Sequence, residues 1–597
     1  MLIQEKFNYI LEQIFYNNLK PLRSLDNIKQ FNHIVDITNP VEWFPNARKL
    51  KRNFIMHVGP TNSGKTYNAL QKLENCNKGY YAGPLRLLAR EVFDKIRSKG
   101  IRCNLLTGEE VIPDIDDFGN ISGITSGTVE MVSLNEEYDV IVLDEIQMIS
   151  DEYRGWAWTN VVLGARAKEI HLCGELSSVP LIKKIVQLTG DNLEINEYNR
   201  LGKLEVCDTP IINLTDFRKG DCIVSFSKKK ILDIKAFIEQ KTNFKCGVIY
   251  GALPPETRAQ EALKFNSGEY DLLIASDAVG MGLNLKIRRI IFTTMQKFDG
   301  KSRIQLSDSS VKQIGGRAGR FGFGKNSSDT STGYITSIDG DVLEIVRDKI
   351  DSPIQYIPQL CLWIPDFLWV KYFSMFSKET KLFNIYDRFE MDLKELKYKQ
   401  KLKALEGGSN DSSLFFISSL DEVKQVSRFF NGNELKNGNF LIFDQFRLIK
   451  APFFFSNNDP TRFKTKNDIN YQLSLNADYT TTDFIKTIIN REPKSIIDFK
   501  LLFNLYRKDS SISSSAASSL NYDSANSQYA ESVETLKKLE TLHKEIMLFL
   551  WMSYRYPKNF IDLESALKVK ELVEDRITKE LEELRSDKIR RNKFSFA

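Results

Sequence analysis

Two separate series of short apolar runs, each run followed by a helical pattern, constrain the fold of this chain more than any other feature. The first series extends from Asn53 to about Gly174 and contains FIMHV, GYYAG, YDVIVLD and EIHLCGE. The second begins at Asp221 and contains DCIVSFS, KCGVIYG, DLLIASD, RRIIFTT and GYITSI. Strands separated by helices are typical of parallel sheets with crossover helices. The sequence therefore predicts two tandem α/β domains with parallel sheets.

Length and composition exclude several other classes of protein. With 597 residues, the chain is too long for a single hydrophobic core. The seven cysteines form no C-x-x-C pair and the four histidines are not spaced as metal ligands, which argues against a disulfide framework or a zinc site. No apolar run approaches the roughly 20 residues that a membrane helix needs. The net charge of +5 is small beside 83 basic residues, so it permits a nucleic-acid partner without indicating one.

The remaining stretches predict how the chain is organised. After about Asp351 the sequence becomes aromatic-rich and largely helical, and the stretch RKDSSISSSAASSLNYDSANSQYAES is too rich in serine to form a core. The predicted segments are an N-terminal helical segment at 1–50, a first α/β domain at 51–200, a second α/β domain at 201–350, a largely helical accessory domain at 351–507, a serine-rich disordered linker at 508–532 and a C-terminal helical segment at 533–597.

The N-terminus does not resemble a targeting peptide. Glu5 and Glu12 lie where a mitochondrial presequence avoids acids, and the first arginine is Arg23. The spacing of the apolar residues predicts a packed amphipathic helix instead. Either the chain enters no organelle, or its leader is missing or unusual.

The loop GPTNSGKT, from Gly59 to Thr66, follows the strand FIMHV and precedes the helical stretch YNALQKL. It satisfies the P-loop pattern G-x-x-x-x-G-K-[ST], in which backbone N–H groups surround phosphate oxygens at a helix N-terminus. In this pattern Lys65 reaches the β- and γ-phosphates, and the hydroxyl of Thr66 binds Mg²⁺. The residues predicted to bind nucleotide here are Gly59, Pro60, Thr61, Asn62, Ser63, Gly64, Lys65 and Thr66. The alternative is a glycine-rich turn that binds nothing.

Two acids, Asp144 and Glu145, follow the apolar strand YDVIVL. Beside a P-loop, Asp144 is placed to hold Mg²⁺ as a Walker-B acid, and Glu145 is placed to orient and deprotonate the attacking water. Without the P-loop, an ordinary acidic pair at the end of a strand would be the better interpretation.

The second α/β unit contains QIGGRAGRFG, from Gln313 to Gly322, in which Arg317 and Arg320 are three residues apart. In a helix this spacing puts both side chains on one side, and the glycines allow close approach. Such a pair can act as arginine fingers, which contact a γ-phosphate from the opposite domain and raise rates by about 10³–10⁵. By itself, GRAGR would equally suit a basic surface turn.

The order of the motifs resembles that of superfamily-two helicases of the DExH type. The stretches that carry the resemblance are GPTNSGKT, PLRLLARE, LTGEE, SGTVEM, LDEIQM, LCGE, CIVSFSKK, VIYGALPPETRAQ, SDAVGMGLNL and QIGGRAGR. More narrowly, DEIQM, RGWAWT, GGRAGRFG and LFLWMSYRYP resemble the mitochondrial ATP-dependent RNA helicase family of the degradosome. The similarity is strong from about Asn53 to Pro365 and patchy elsewhere. It implies two RecA-like domains that face one another with ATP and Mg²⁺ between them.

The resemblance also implies roles for individual residues around the nucleotide. Gln147 falls on the fourth place of the DExx box, and its amide can donate and accept at once, so it can bridge the ATP site to Gln313 of the opposite domain. The alternative for Gln147 is a filler role at a strand–helix junction. Asp277 and Gly282 fall where relatives contact nucleotide or close the cleft. The residues on the motif that senses the γ-phosphate are Gln313, Arg317 and Arg320.

The family's RNA-contacting motifs match several turns rich in serine and threonine. Short hydroxyls and backbone amides in such turns hold phosphates without reading bases. The matching residues are Arg86, Thr107, Ser126, Thr128 and Ser227. Each of them could instead be a capping or turn residue. One departure from the family pattern is Ile314–Gly315, where relatives commonly have an arginine, so two fingers are expected rather than three.

The function implied by the resemblance is that of an ATP-dependent RNA helicase. Such an enzyme moves 3′-to-5′ on single-stranded RNA, with DNA as a further substrate, and feeds a 3′-to-5′ exoribonuclease of a degradosome in the mitochondrial matrix. An alternative from another class is an NTP-gated RNA clamp or scaffold that remodels complexes without processive unwinding. A third is a P-loop protein that never touches nucleic acid.

Three other features have simple structural interpretations. His57, in the strand before the P-loop, is expected to be a core histidine rather than a catalyst. The aromatic run LCLWIPDFLWVKYF could stack on bases, but packing is the favoured interpretation. The heptad-like stretch ETLKKLETLHKEIMLFL could dock a partner, but packing within the chain is favoured over that role.

Overall fold

The computed structural model describes residues 40–280, 283–298, 302–319, 332–376, 380–405, 414–430, 442–453, 481–499 and 524–584. The predicted features that lie at least partly outside these residues include positions 1–39 of the N-terminal segment, Gly282, Arg320, several stretches of the accessory domain, positions 508–523 of the serine-rich linker and positions 585–597 of the C-terminal segment. The described part of the N-terminal segment forms a 3-10 turn at Pro40–Trp43 and one helical turn at Pro45–Arg48.

The first α/β domain contains eight strands that pair in one sheet. The strands are β1 (Asn53–Val58), β2 (Gly79–Gly83), β3 (Asn104–Leu106), β4 (Val111–Ile112), β5 (Ile124–Thr128), β6 (Glu137–Leu143), β7 (Arg166–Gly174) and β8 (Asn192–Glu197). Their order is β4-β3-β5-β2-β6-β7-β1-β8, and only the pairing of β3 with β4 is antiparallel. The central strands are apolar over most of their length, which is typical of a sheet that helices cover on both faces.

Four α-helices connect these strands. They are α1 (Lys65–Glu74), α2 (Arg86–Ser98), α3 (Gly155–Gly164) and α4 (Val179–Thr189). In α2 the buried residues are Ala89, Val92, Phe93 and Ile96, a spacing of three and four residues that places one apolar stripe against the sheet.

The second α/β domain has a six-stranded sheet and a separate antiparallel pair. The strands are β9 (Leu204–Val206), β10 (Asp221–Val224), β11 (Cys246–Ile249), β12 (Leu272–Ala275), β13 (Arg289–Phe292), β14 (Gln296–Phe298), β15 (Arg303–Gln305) and β16 (Gly333–Ser337). The sheet order is β11-β12-β10-β13-β16-β9 with all pairs parallel, while β14 pairs with β15. The helices are α5 (Lys228–Lys241), α6 (Pro255–Ser267), α7 (Asp308–Gly315) and α8 (Gly340–Asp351).

These two parallel sheets confirm the predicted fold class of tandem RecA-like domains. In the first sheet β6, β7 and β1 are neighbours, so the loops that follow them emerge side by side. The carboxyl ends of parallel strands form the crevice where ligands bind in open α/β sheets. The two domains are also packed together, because Leu87 of α2 contacts the apolar core of the second domain.

The described residues of the C-terminal region are largely helical, as predicted, and include one small parallel strand pair. Its elements are β17 (Leu360–Leu362), β18 (Phe415–Ile417), α9 (Asp366–Phe373), α10 (Leu382–Leu405), α11 (Asp421–Phe430), α12 (Ile442–Leu448), α13 (Ser524–Arg555) and α14 (Leu563–Glu583). Trp369 is fully buried, and its ring centroid lies 4.5 Å from that of Phe389 and 5.1 Å from that of Tyr386. This part of the aromatic run therefore packs inside the protein. Among the described helices, none combines the length and apolar character that crossing a bilayer requires.

The predicted disordered linker at 508–532 needs a correction at its end. Helix α13 begins at Ser524, so residues 524–532 are helical. Once the packed part of a helix exists, adding a turn at its N-terminus costs far less than nucleating a new one, because each added residue gains a hydrogen bond. The packed part is the heptad-like stretch, in which Leu536, Leu539 and Ile546 are buried within the chain.

Candidate nucleotide-binding site

The predicted P-loop connects the carboxyl end of β1 to the N-terminus of α1. Gly64 has a φ of 78° and Asn62 a φ of 62°, so the loop passes twice through the left-handed region before the helix starts. A side chain at Gly59 would lie 2.4 Å from the carbonyl oxygen of Tyr198, so only glycine fits there. The ammonium group of Lys65 is buried and donates to the carbonyl of Gly59 at 2.9 Å. A phosphate at this helix N-terminus would therefore meet the backbone amides of the first turn and the ammonium group of Lys65.

The predicted Walker-B acid, Asp144, lies directly after β6 and is buried. Its carboxylate accepts hydrogen bonds from the hydroxyl of Tyr81 at 2.9 Å and from the amide of Glu145 at 3.0 Å. Burial and the neighbouring Glu145 raise the pKa of Asp144 to about 6, while the nearby charge of Lys65 opposes the shift. A buried carboxylate in this state favours a cation as a partner. Thr66 and Asp144 both offer oxygen, the donor that Mg²⁺ prefers, so the donor set fits that ion.

Glu145, the predicted base, has a φ of 51°, a left-handed conformation that is unusual for a residue with a side chain. Its carboxylate accepts a hydrogen bond of 2.5 Å from the amide of Gln147. Strained backbone of this kind concentrates at functional sites, where the surrounding structure holds a side chain in a required direction.

The predicted bridge from Gln147 to Gln313 runs through a third residue, Glu175, at the end of β7. The carbonyl oxygen of the Gln147 side chain accepts from the backbone amide of Glu175 at 3.1 Å. The carboxylate of Glu175 accepts from Nε2 of Gln313 at 3.1 Å and from the hydroxyl of Ser309 at 3.2 Å, both in α7 of the second domain. Glu175 thus links Gln147 of the first domain to Gln313 of the second through hydrogen bonds of its backbone and its side chain.

Arg317, the first predicted finger, lies two residues after the end of α7, and its guanidinium group is buried. It donates to the carbonyl of Gly280 at 2.6 and 3.1 Å. Burial lowers the pKa of Arg317, and the two acids of the first domain, Glu145 and Asp144, oppose that shift. The loop that carries Arg317 also lies against the P-loop, since a Cβ at Gly316 would be 1.9 Å from the hydroxyl of Thr61.

The other residues predicted on the second domain are less fully described. Asp277 is about half exposed and forms an ion pair of 3.5 Å with Lys297. Gly282 and Arg320 are outside the described residues. Their contacts with nucleotide stay predictions.

The serines and threonines predicted to contact RNA all have hydrogen bonds within the protein. Ser126 donates to a carbonyl of α2 at 2.7 Å, and the hydroxyl of Thr107 accepts from the amide of Glu110 at 2.9 Å. The hydroxyl of Ser227 caps the N-terminus of α5, and the carbonyl of Thr128 accepts from Tyr80. The bonds of Thr107 and Ser227 fit the alternative of turn and capping roles, whereas those of Ser126 and Thr128 are contacts between distant parts of the domain. Contact with RNA stays a prediction for each residue.

Arg86 lies at the junction between the domains. Its guanidinium group forms an ion pair with Glu109 of the first domain. Burial lowers the pKa of Arg86, and Glu256 of the second domain opposes the shift. The predicted RNA contact at Arg86 would therefore have to compete with acids from both domains.

Two residues near the nucleotide site were not singled out from the sequence. Tyr81 lies inside GYYAG, and Glu175 ends LCGE. The order of the strands is the missing information: Tyr81 is on β2 beside β6, and Glu175 follows β7 on the other side of β6. A polar residue in or after a strand that neighbours the acid-bearing strand is the signal that could have identified both.

His57 is a core histidine, as expected. Its Nδ1 is 2.8 Å from the hydroxyl of Tyr198, and its Nε2 is 2.9 Å from Nδ1 of His171 on the neighbouring strand. Burial and the adjacent His171 lower the pKa of His57 to about 4. The ring is therefore neutral at physiological pH and links β1 to β7 beneath the P-loop.

Comparison with known proteins places three family profiles on the chain. The profile described as the DEXQ-box helicase domain of Suv3 matches residues 40–198. The helicase conserved C-terminal domain matches residues 204–322, and the ATP-dependent RNA helicase SUV3 C-terminal domain matches residues 536–583. The last match falls on helices α13 and α14.

Full-length relatives resemble the chain over nearly its whole length. The mitochondrial ATP-dependent RNA helicase SUV3 of Saccharomyces cerevisiae is 44% identical over 98% of this chain and 72% of its own length. The protein of the same name from Candida albicans is 45% identical over 97% of this chain and 74% of its own length. The DExH-box ATP-dependent RNA helicase DExH18, mitochondrial, of Arabidopsis thaliana is 36% identical over 93% of this chain and 63% of its own length.

Proposed function

The chain belongs to the SUV3 family of ATP-dependent RNA helicases, and on that premise we propose that it is a motor that moves 3′-to-5′ along single-stranded RNA. It uses ATP and binds nucleic acid, as the family does. The direction of movement, the unwinding of duplexes ahead of it and the residues that perform each step are part of the proposal.

The observation that carries the proposal is the close approach between the P-loop and the loop that bears Arg317. A Cβ at Gly316, the residue before Arg317, would lie 1.9 Å from the hydroxyl of Thr61. A nucleotide bound to the P-loop would have its terminal phosphate between Arg317 of the second domain and the acids Asp144 and Glu145 of the first. Such a sandwich makes hydrolysis depend on how the two domains are placed, which is what a motor needs.

Each group then has a defined part in hydrolysis. Lys65 and the amides of the P-loop bind the phosphates, and Glu145 orients and deprotonates the attacking water. Arg317, together with Arg320, contacts the γ-phosphate and stabilises the charge that develops on it. Thr66 and Asp144 would hold Mg²⁺, whose charge would neutralise the phosphate oxygens.

The relay through Glu175 supports a link between the state of the nucleotide and the arrangement of the domains. Gln147 holds the carboxylate of Glu145 at one end, and Gln313 moves with the second domain at the other. If the two domains hold RNA phosphates by different residues, each closing and opening of the cleft shifts the grip along the strand. A duplex in the path is then separated.

We further propose that the helicase acts in the mitochondrial matrix and delivers RNA to a 3′-to-5′ exoribonuclease for degradation. The relatives that resemble the chain over nearly its whole length are named as mitochondrial helicases, which supports this location. The exoribonuclease partner rests on the resemblance to the degradosome helicase family alone.

Two measurements made side by side test the proposal. ATP hydrolysis is measured with and without single-stranded RNA, and strand displacement is measured on duplexes with a 3′ tail or a 5′ tail. We expect RNA to stimulate hydrolysis and only the 3′-tailed duplex to be unwound. Stimulated hydrolysis without displacement would favour an RNA clamp, and hydrolysis that is indifferent to RNA would contradict both functions.

A further inference from the structure

Arg200 lies in the segment that connects the two sheets, between β8 and β9. One of its terminal nitrogens donates to the carbonyl of Thr61 in the P-loop at 3.1 Å and to the carbonyl of Gly316 at 2.7 Å. The other terminal nitrogen donates to the carbonyl of Ala318. A single side chain of the connecting segment therefore holds backbone groups on both sides of the nucleotide cleft.

Gly316 and Ala318 are the residues immediately before and after Arg317. We call residues 316–319 the finger loop. Because Arg200 holds the carbonyls on both sides of Arg317, it fixes the backbone from which that side chain extends. The contact with the P-loop is tight as well: a side chain at Gly316 would lie 1.9 Å from the hydroxyl of Thr61.

In the described part of the chain, the charge of Arg200 is not matched by an acid. Among the described residues, none with a carboxylate forms an ion pair with it, and its buried Nε has no hydrogen-bond partner there. Burial lowers the pKa of Arg200. A partly buried cation held only by carbonyls is costly, and arginines that serve packing alone usually pair with an acid.

We propose that Arg200 is a positioning residue that sets Arg317 against the nucleotide and ties closure of the cleft to the interdomain connection. The planar guanidinium group suits this role, because it holds several carbonyls in one plane, which the single ammonium group of a lysine cannot do. A rotation that separates the domains has to break its bonds either to the P-loop or to the finger loop. The proposal rests on the proposed function of Arg317 as the contact to the γ-phosphate.

The test compares Arg200→Ala and Arg200→Lys with Lys203→Ala, a matched control in the same segment whose side chain is largely exposed. For each variant, kcat and KM for ATP are measured with and without single-stranded RNA, together with the melting temperature. The affinity for RNA is measured once with a non-hydrolysable ATP analogue bound and once with ADP bound. The ratio of these two affinities measures the coupling between nucleotide and RNA.

We expect Arg200→Ala to lower kcat by at least about tenfold while KM for ATP changes less than about threefold, because transition-state contacts are lost and ground-state binding is kept. The affinity ratio should approach one. Arg200→Lys should restore neither kcat nor the affinity ratio. Lys203→Ala should match the unmodified protein in both.

The double variant Arg200→Ala/Arg317→Ala separates positioning from a purely structural role. If Arg200 acts through Arg317, removing it in the Arg317→Ala background should lower kcat by less than about twofold more. Independent losses that multiply, or an unchanged kcat and affinity ratio in Arg200→Ala, would overturn the proposal. So would a loss of kcat that only follows the fraction of folded protein. If RNA does not stimulate the unmodified protein, the proposed function fails, and the role of Arg200 is judged on unstimulated kcat.

Discussion

Glu175 of the first domain and Gln313 of the second are joined by a hydrogen bond of 3.1 Å across the nucleotide cleft. Ser309, one helical turn before Gln313, donates to the same carboxylate. On its own side of the cleft, the backbone amide of Glu175 donates to the side-chain carbonyl of Gln147. The side-chain amide of Gln147 in turn donates to the carboxylate of Glu145. A continuous path of hydrogen bonds thus leads from the predicted catalytic base to the second domain.

The relay predicts that Glu175→Ala uncouples hydrolysis from RNA. Without RNA, the rate of hydrolysis should stay within about twofold of that of the unmodified protein, because the P-loop and both acids are untouched. The stimulation of hydrolysis by RNA should fall at least about threefold. Glu269→Ala, at an exposed position of the second domain, is the control and should keep full stimulation. Equal losses of stimulated and unstimulated hydrolysis in Glu175→Ala would contradict a coupling role.

The local chemistry of the nucleotide site follows from the sequence, but its interdomain contacts do not. The P-loop and the acids each depend on one strand and the loop after it, so a local pattern is enough to predict their positions. Glu175 and Arg200 act on residues more than 100 positions away, and their contacts depend on how two sheets are oriented. The sequence for that reason predicted a bridge from Gln147 to Gln313 but did not identify the acid through which it runs.

Lys65→Ala tests the P-loop. Lys65 is buried at the start of α1 and donates to the loop itself, so it is already positioned for phosphate. Its loss should abolish turnover, because the phosphates lose the cation that binds them. Lys72→Ala, on the exposed side of the same helix, is the control. Near-normal hydrolysis by Lys65→Ala would defeat the P-loop assignment.

Gly316→Ala tests how closely the finger loop approaches the P-loop. The backbone of Gly316 is helical, so alanine causes no strain there, but its Cβ would lie 1.9 Å from the hydroxyl of Thr61 and 2.7 Å from the carbonyl of Lys312. We expect hydrolysis to fall at least about tenfold, since a displacement of about 1 Å at a catalytic group can cost a hundredfold. Gly340→Ala, where a Cβ would meet nothing within 4 Å, should have no effect. Full activity of Gly316→Ala would mean that the loops need not approach.

The buried histidine pair predicts a loss of stability in mild acid. The pKa of His57 is lowered from 6.5 to about 4 by burial and His171, so between these values the unfolded chain takes up a proton that the folded chain does not. The free energy of unfolding should therefore fall as the pH drops through this window, by more than about 1 kcal/mol. Urea unfolding at several pH values measures it. In His57→Gln, the free energy of unfolding should depend less on pH. If the variant and the unmodified protein lost stability in parallel as the pH falls, the prediction would be contradicted.

Hydrolysis by Arg317→Ala at saturating ATP, measured beside nucleotide affinity, is the sharpest test of the sandwich between the domains. The residue before Arg317 lies against Thr61 of the P-loop, so loss of the Arg317 side chain should leave nucleotide binding nearly intact and cut kcat at least about a hundredfold. A variant that hydrolyses ATP at the normal rate, or that loses binding and rate equally, would contradict a γ-phosphate held between the two domains.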